Sequence, residues 1–124
     1  MANQILIIRF HHTNSQFKIT NNITCKDSNV IYTIECRKCK VESVGSTITT
    51  FRARSRGWRS DINLNKKIDK VISHFNRKDP VFDRDFRMTP FEKVFGNEDN
   101  LRIRERMYID RYDLIDNGLN TKRT

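Results

Sequence analysis

Apolar and polar positions alternate from Val30 to Cys36. Val30, Tyr32, Ile34 and Cys36 fall on one face and Ile31, Thr33 and Glu35 on the other, the period of a strand with one strongly buried face. Arg37-Lys38-Cys39-Lys40 turns the chain into a second short run, Val41 to Ser46, so the pair predicts a β-hairpin, and Gly45 near its end permits close backbone approach. Thr49 or Thr50 is placed to cap a helix beginning near Phe51, whose stripe is Phe51, Arg54, Ser55, Trp58 and Ile62. Ile68, Val71, Ile72 and Phe75 predict a second helix that stops at the turn signals Asn76 to Pro80. Phe86 to Phe95 reads as a third strand. Pro90 has no N–H to donate, so that strand is expected at a sheet edge or with a bulge. Gly96-Asn97-Glu98-Asp99 opens the last long helix, with acidic groups at its positive end and a core stripe of Leu101, Glu105, Tyr108 and Tyr112. Asn117 to Asn120 is a turn signal. At the other end Gln4 to Phe10 reads as a short strand and His11 to Asn22 as a polar connection, with Phe17, His11 and His12 assigned only packing or disorder. Residues 1–24 are therefore expected to be an N-terminal appendage or linker before a domain over residues 25–124.

Charge narrows the partners. A chain of 124 residues suits one domain. Its 24 Lys and Arg against 15 Asp and Glu leave a net charge of +9, the balance of a nucleic-acid binder or of a merely basic soluble protein. Ile5 to Ile8 is far shorter than the roughly 20 residues of a membrane span, and no small-residue cleavage site follows it, so neither membrane insertion nor secretion is expected. Three cysteines cannot all pair within the chain. Cys36 and Cys39 have the Cys-x-x-Cys spacing of a metal hook or redox pair, which suits a reducing intracellular compartment.

Two residues break the helix stripes. Arg54 lies among aromatic and aliphatic positions, and Glu105 sits mid-stripe, where a carboxylate costs several kcal/mol unless paired or metal-bound. From the residues alone, a buried structural ion pair and an active site both account for them.

Val30-Ile31-Tyr32 and Ser43-Val44-Gly45, in that order and spacing, with Phe51-Arg52-Ala53-Arg54, Glu105 and Gly118-Leu119-Asn120 after them, resemble the motifs of the GIY-YIG nuclease family. The likeness runs from about Thr24 to Asn120. The cysteines between the motifs, His74-Phe75-Asn76 and Gly118-Leu119-Asn120 further resemble the C-terminal endonuclease domain of Penelope-like retroelements. The resemblance implies a mixed α/β (α+β) fold with a small three-stranded antiparallel sheet flanked by helices. It also implies hydrolysis of DNA phosphodiester bonds with one Mg²⁺ or Mn²⁺. Glu105 is then the metal ligand and Arg54 stabilises the pentacovalent phosphate. Tyr32 orients or deprotonates water, Asn120 holds the phosphate or the Glu105 carboxylate, and Ser43 and Gly45 complete the catalytic set. This chemistry agrees with what charge build-up on a phosphorane demands. A phenol with its ordinary pKa near 10 acts as a base only if neighbouring positive charge lowers that value.

The chain departs from the pattern in three places. Val30 stands for the first glycine, Ser43 for the second tyrosine, and Trp58 where the family often has a proton-relaying histidine; an indole only donates. Two expectations remain: a metal-dependent nickase domain serving retroelement integration by target-primed synthesis, or a degenerate relative that binds DNA without cutting. A zinc-stabilised interaction domain is a third and weaker one. In the Penelope-like group the two cysteines are half of a zinc site. Cys36, Cys39 and His74 match it, and Cys25, or with less weight His11 or His12, is the candidate fourth ligand because Lys78-Asp79-Pro80 stands where a second histidine is expected. Equally, Cys36 reads as a small core residue and Cys39 as an exposed thiol. Arg52, Arg56, Arg59, Lys66, Lys67 and Lys70, joined by Arg102, Arg104 and Arg106, are candidates for a groove that follows a DNA duplex without reading its sequence. The resemblance also implies attachment to a reverse transcriptase and a location in the nucleus; the short apolar stretch Ile5 to Ile8 leads to no expected membrane partner.

Overall fold

The computed structural model describes residues 6–19, 22–65, 69–77 and 82–121. In chain order its elements are β1 (Leu6–Phe10), β2 (Ser15–Ile19), β3 (Ser28–Cys36), β4 (Val41–Thr50), α1 (Phe51–Leu64), α2 (Lys70–Phe75), α3 (Phe82–Asp85), β5 (Phe86–Lys93) and α4 (Glu98–Arg111). β4, β3 and β5 form a three-stranded antiparallel sheet with β3 in the centre, and β1 and β2 form a separate antiparallel hairpin. The architecture is the mixed α+β arrangement expected, with helices flanking the three-stranded sheet.

β3 is buried on both faces, which explains the unbroken apolar start Val30-Ile31-Tyr32. Val30, Tyr32, Ile34 and Cys36 pack with Phe51 and Ile62 of α1 and with Val71, Ile72 and Phe75 of α2. Ile31 and Val44 belong to the opposite layer, with Leu101, Tyr108 and Ile109 of α4 and with Ile8, Phe10 and Ile19 of the β1–β2 hairpin. The connection expected over His11 to Asn22 is thus corrected: Ser15–Ile19 is a strand, and the hairpin contributes core residues instead of standing apart. Phe10 stacks on Tyr112 at 3.8 Å between ring centroids, and Phe17 meets Phe91 and Tyr108 edge-on. That aromatic burial offsets the ordering of an otherwise polar segment.

The boundaries follow from local chemistry. The Thr50 hydroxyl accepts from the Ala53 N–H to start α1, and the Asn97 side chain accepts from the Asn100 N–H to start α4, whose first turn carries Glu98 and Asp99. Pro90 lies on β5, an edge strand, and the β3–β5 register shifts between Ile31 and Tyr32, so Pro90 sits both at an edge and beside a bulge. β4 runs on to Thr50, longer than the expected Val41 to Ser46. α2 begins at Lys70 behind its Asp69 cap; Ile68, expected in it, lies outside the described residues. Among the described residues no helix is long and apolar enough to cross a membrane.

Candidate functional site

Tyr32 from β3, Ser43 and Gly45 from β4, Arg54 from α1, Glu105 from α4 and Asn120 from the segment after α4 all line one cavity of about 210 Å³. The sequence separation is large, so this convergence comes from the fold. Tyr32 lies on the central strand opposite Gly45 on one side and Pro90 on the other. A β-carbon on Gly45 would come within 2.6 Å of the Tyr32 ring and hydroxyl, so the absent side chain is what lets the phenol lie across β4.

The Tyr32 oxygen accepts two hydrogen bonds, from Trp58 Nε1 at 2.8 Å and from Arg54 Nε at 3.3 Å. The Arg54 guanidinium stacks over the Trp58 ring, 4.7 Å from its centroid. Trp58 and Arg54 lie four residues apart on α1, so one helix face presents both donors. Burial pushes the Tyr32 phenol above its ordinary pKa; the Arg54 charge and the hydrogen bonds from Trp58 and Arg54 pull the other way without overcoming it.

Glu105 is half-buried at the cavity, and its Oε1 accepts from the Ser46 hydroxyl at 2.8 Å. This position at the edge of the α4 stripe removes much of the penalty expected for a carboxylate inside an apolar face. Asn120 is engaged differently from the role the resemblance gives it. Its amide oxygen accepts from the Val44 N–H and its amide nitrogen donates to the Val44 carbonyl, each at 2.9 Å, so it completes the open edge of β4. The Leu119 N–H donates to the Glu42 carbonyl in the same manner, and Gly118 is required there because a β-carbon would lie 2.6 Å from that oxygen.

Three lining residues escaped the sequence reading: Ser46, Asp69 and Thr121. Asp69 caps α2, accepting from the N–H groups of Val71 and Ile72, and the Thr121 hydroxyl donates to it. A capping residue before an apolar run was a readable signal for Asp69; its link to Thr121 spans 52 residues and was not readable.

The expected basic residues do not act as one free set. Arg56 is exposed on α1. Arg52 donates to the Cys25 sulfur at 3.0 Å, Arg59 pairs with Asp83 and lies over the Phe82 ring, and the Lys70 ammonium donates to the Ile115 carbonyl. Lys66 and Lys67 lie outside the described residues. On α4, Arg102 pairs with Glu98 and Arg106 with Asp110, while Arg104 is held by Glu92 through two hydrogen bonds, with the Tyr108 hydroxyl donating to the same carboxylate.

Cys36, Cys39 and His74 form a second cluster, their ligand atoms all within 4.8 Å of one another. His74 Nε2 is buried without a hydrogen-bond partner, and burial, then the Arg77 charge, lowers the His74 pKa, which keeps the imidazole neutral and fit to bind a metal. A neutral imidazole clustered with two sulfurs, with one ring nitrogen left without a partner, is a donor set a zinc ion takes. Cys25 does not join the cluster; its sulfur faces Arg52.

Comparison with protein-family models, with curated proteins and with solved structures returns no match.

Proposed function

We propose that the chain is a GIY-YIG-type, metal-dependent DNA endonuclease module that nicks a phosphodiester bond, in the setting of retroelement integration beside a reverse transcriptase. The reading rests on one observation: Tyr32, Arg54 and Glu105, three different chemistries from three elements, open onto a single cavity of a chain with a net charge of +9. Glu105, with the Ser46 hydroxyl against it, would hold the Mg²⁺ or Mn²⁺, since hard cations take oxygen donors. Such an ion, when bound, neutralises phosphate charge and acidifies water.

The protein's own groups do the rest. Arg54, fixed by Trp58 and Tyr32, presents a guanidinium to the phosphoryl oxygens, where charge grows in the transition state. Tyr32 takes the proton of the attacking water in its ionised form, and Trp58 and Arg54 hold its oxygen in place for that role. Because burial disfavours the ionised phenol, the enzyme is slow at neutral pH and faster as pH rises. Asn120 positions the β4 strand that carries Ser43, Gly45 and Ser46. Cys36, Cys39 and His74 would hold a structural zinc ion, which would tie the β3–β4 turn to α2.

Supercoiled plasmid with Mg²⁺ or Mn²⁺ tests the reading: nicking by the native chain that Arg54→Ala reduces at least a hundredfold supports it, and equal nicking by both opposes it. One observation favours a second reading, DNA binding without cutting. Tyr32 is buried with its pKa raised, and Trp58, unlike a histidine, cannot take up its proton. That reading predicts salt-sensitive duplex binding with no cleavage at any metal concentration.

A further inference from the structure

The sheet has a second cavity, of about 240 Å³, between its other face and the β1–β2 hairpin. β3 side chains alternate, so Thr33 and Glu35 point here while Tyr32 and Ile34 line the cavity of the candidate site. Four cations converge on it: Arg9 from β1, Arg37 and Lys40 from the β3–β4 turn, and Arg87 from β5. None of the four makes a side-chain ion pair or hydrogen bond among the described residues. Glu35 is the one carboxylate in the lining, and the neighbouring Glu42 is taken up by His11, whose backbone N–H and Nδ1 reach its two oxygens at 2.9 and 2.7 Å. His11, Glu35 and Glu42 come close enough to suggest a cation site, but four cations around the same space disfavour one. Like charges gathered without partners cost free energy, and an anion relieves it.

We propose that this cavity binds a phosphate group, on the face of the sheet opposite the candidate nuclease site. A nucleic-acid backbone is the first source and a small phosphate compound the second; only the choice of source rests on the nucleic-acid reading above. The Thr33 and Thr89 hydroxyls, paired across β3 and β5, add neutral donors to the same lining.

The test compares the native chain, Arg37→Ala with Arg87→Ala, and a control that removes two exposed cations outside the lining, Lys18→Ala with Lys26→Ala. Binding of a short DNA duplex is measured against salt, and binding of pyrophosphate is measured by calorimetry. The arginine pair is expected to weaken duplex binding about tenfold and to lower the salt slope by about two, with a clearly smaller change in the lysine control. Loss of pyrophosphate binding with unchanged duplex binding supports the cavity and assigns it to a small phosphate compound. No change in either, or equal weakening by both pairs, overturns the proposal. Glu35→Gln gives an independent check: it is expected to tighten anion binding severalfold, and unchanged or weaker binding counts against the proposal. These are binding readouts, so a chain that binds but never nicks removes the nuclease reading and leaves the phosphate cavity standing.

Discussion

Trp58 donates its indole N–H to the Tyr32 oxygen at 2.8 Å, from the helix position where the nuclease family that the chain resembles often has a proton-relaying histidine. A histidine there could accept a proton, whereas the Trp58 indole can only donate and so can only stabilise the ionised oxygen. A hydrogen bond to a charged group is worth about 1.5–3 kcal/mol. Trp58→Phe is expected to raise the Tyr32 pKa further and to slow nicking roughly tenfold to a hundredfold at a fixed pH. Ultraviolet titration of the tyrosines, with Tyr32→Phe to identify the relevant transition, reads the first effect without any need for activity. Trp58→His is expected to move the activity profile toward neutral pH; a profile unchanged in both variants would remove Trp58 from the account.

Gly45 is predicted to tolerate no side chain. With a β-carbon 2.6 Å from the Tyr32 ring, either the phenol leaves its two donors or β4 shifts, and overpacking of this kind costs about 1–3 kcal/mol. Whichever of the two moves, Gly45→Ala is expected to lower the urea midpoint and to reduce nicking. A variant that kept both stability and activity would contradict the close approach.

Glu42 sets a pH dependence of stability. Burial raises its pKa; the hydrogen bonds and charge of His11 lower it by less, and the charge of Glu35 adds slightly to the rise. A carboxylate whose folded pKa lies above its unfolded one favours folding most when protonated. Its contribution is present below the ordinary carboxylate range and is lost as pH rises through the raised value. Glu92 has the opposite shift, because Arg104 and Tyr108 outweigh burial, so only a difference measurement isolates Glu42. Chemical denaturation across that window is expected to show native stability falling relative to Glu42→Gln as pH rises. A constant difference would contradict the assignment.

The cluster of Cys36, Cys39 and His74 predicts one zinc ion per chain. Metal analysis of protein purified under reducing conditions, and cobalt substitution with its thiolate absorption, measure this. His74→Ala is expected to weaken binding and to make the chain less stable to heat in zinc, whereas indifference of both native chain and variant to a chelator would show the cluster to be an ordinary part of the core.

Much of the fold was legible because its signals are local. The alternation in Val30 to Cys36, the Phe51 stripe, the Thr50 and Asn97 caps and the missing N–H of Pro90 each act within a few residues. β2 was not legible: Ser15-Gln16-Phe17-Lys18-Ile19 does alternate, but its apolar face is only Phe17 and Ile19, and it is held by Phe91 and Tyr108, far along the chain. The candidate site was legible as residue identities and not as contacts. Nothing in the spacing foretold that Asn120 spends both ends of its amide on Val44, or that Ser46 supports Glu105. Likewise Cys25 matched as a sulfur, yet its position beside Arg52 depends on where the start of α1 meets the segment before β3.

Glu105 is proposed to hold the ion for phosphodiester cleavage at this cavity. Supercoiled plasmid is incubated with the native chain and with Glu105→Ala over a titration of Mg²⁺ and Mn²⁺, with duplex binding measured on both proteins. Metal-dependent nicking that rises with pH is expected of the native chain and is expected to be abolished in Glu105→Ala, while duplex binding persists in both. Equal nicking by the two proteins, or no nicking by the native chain at any metal concentration or pH, would contradict it.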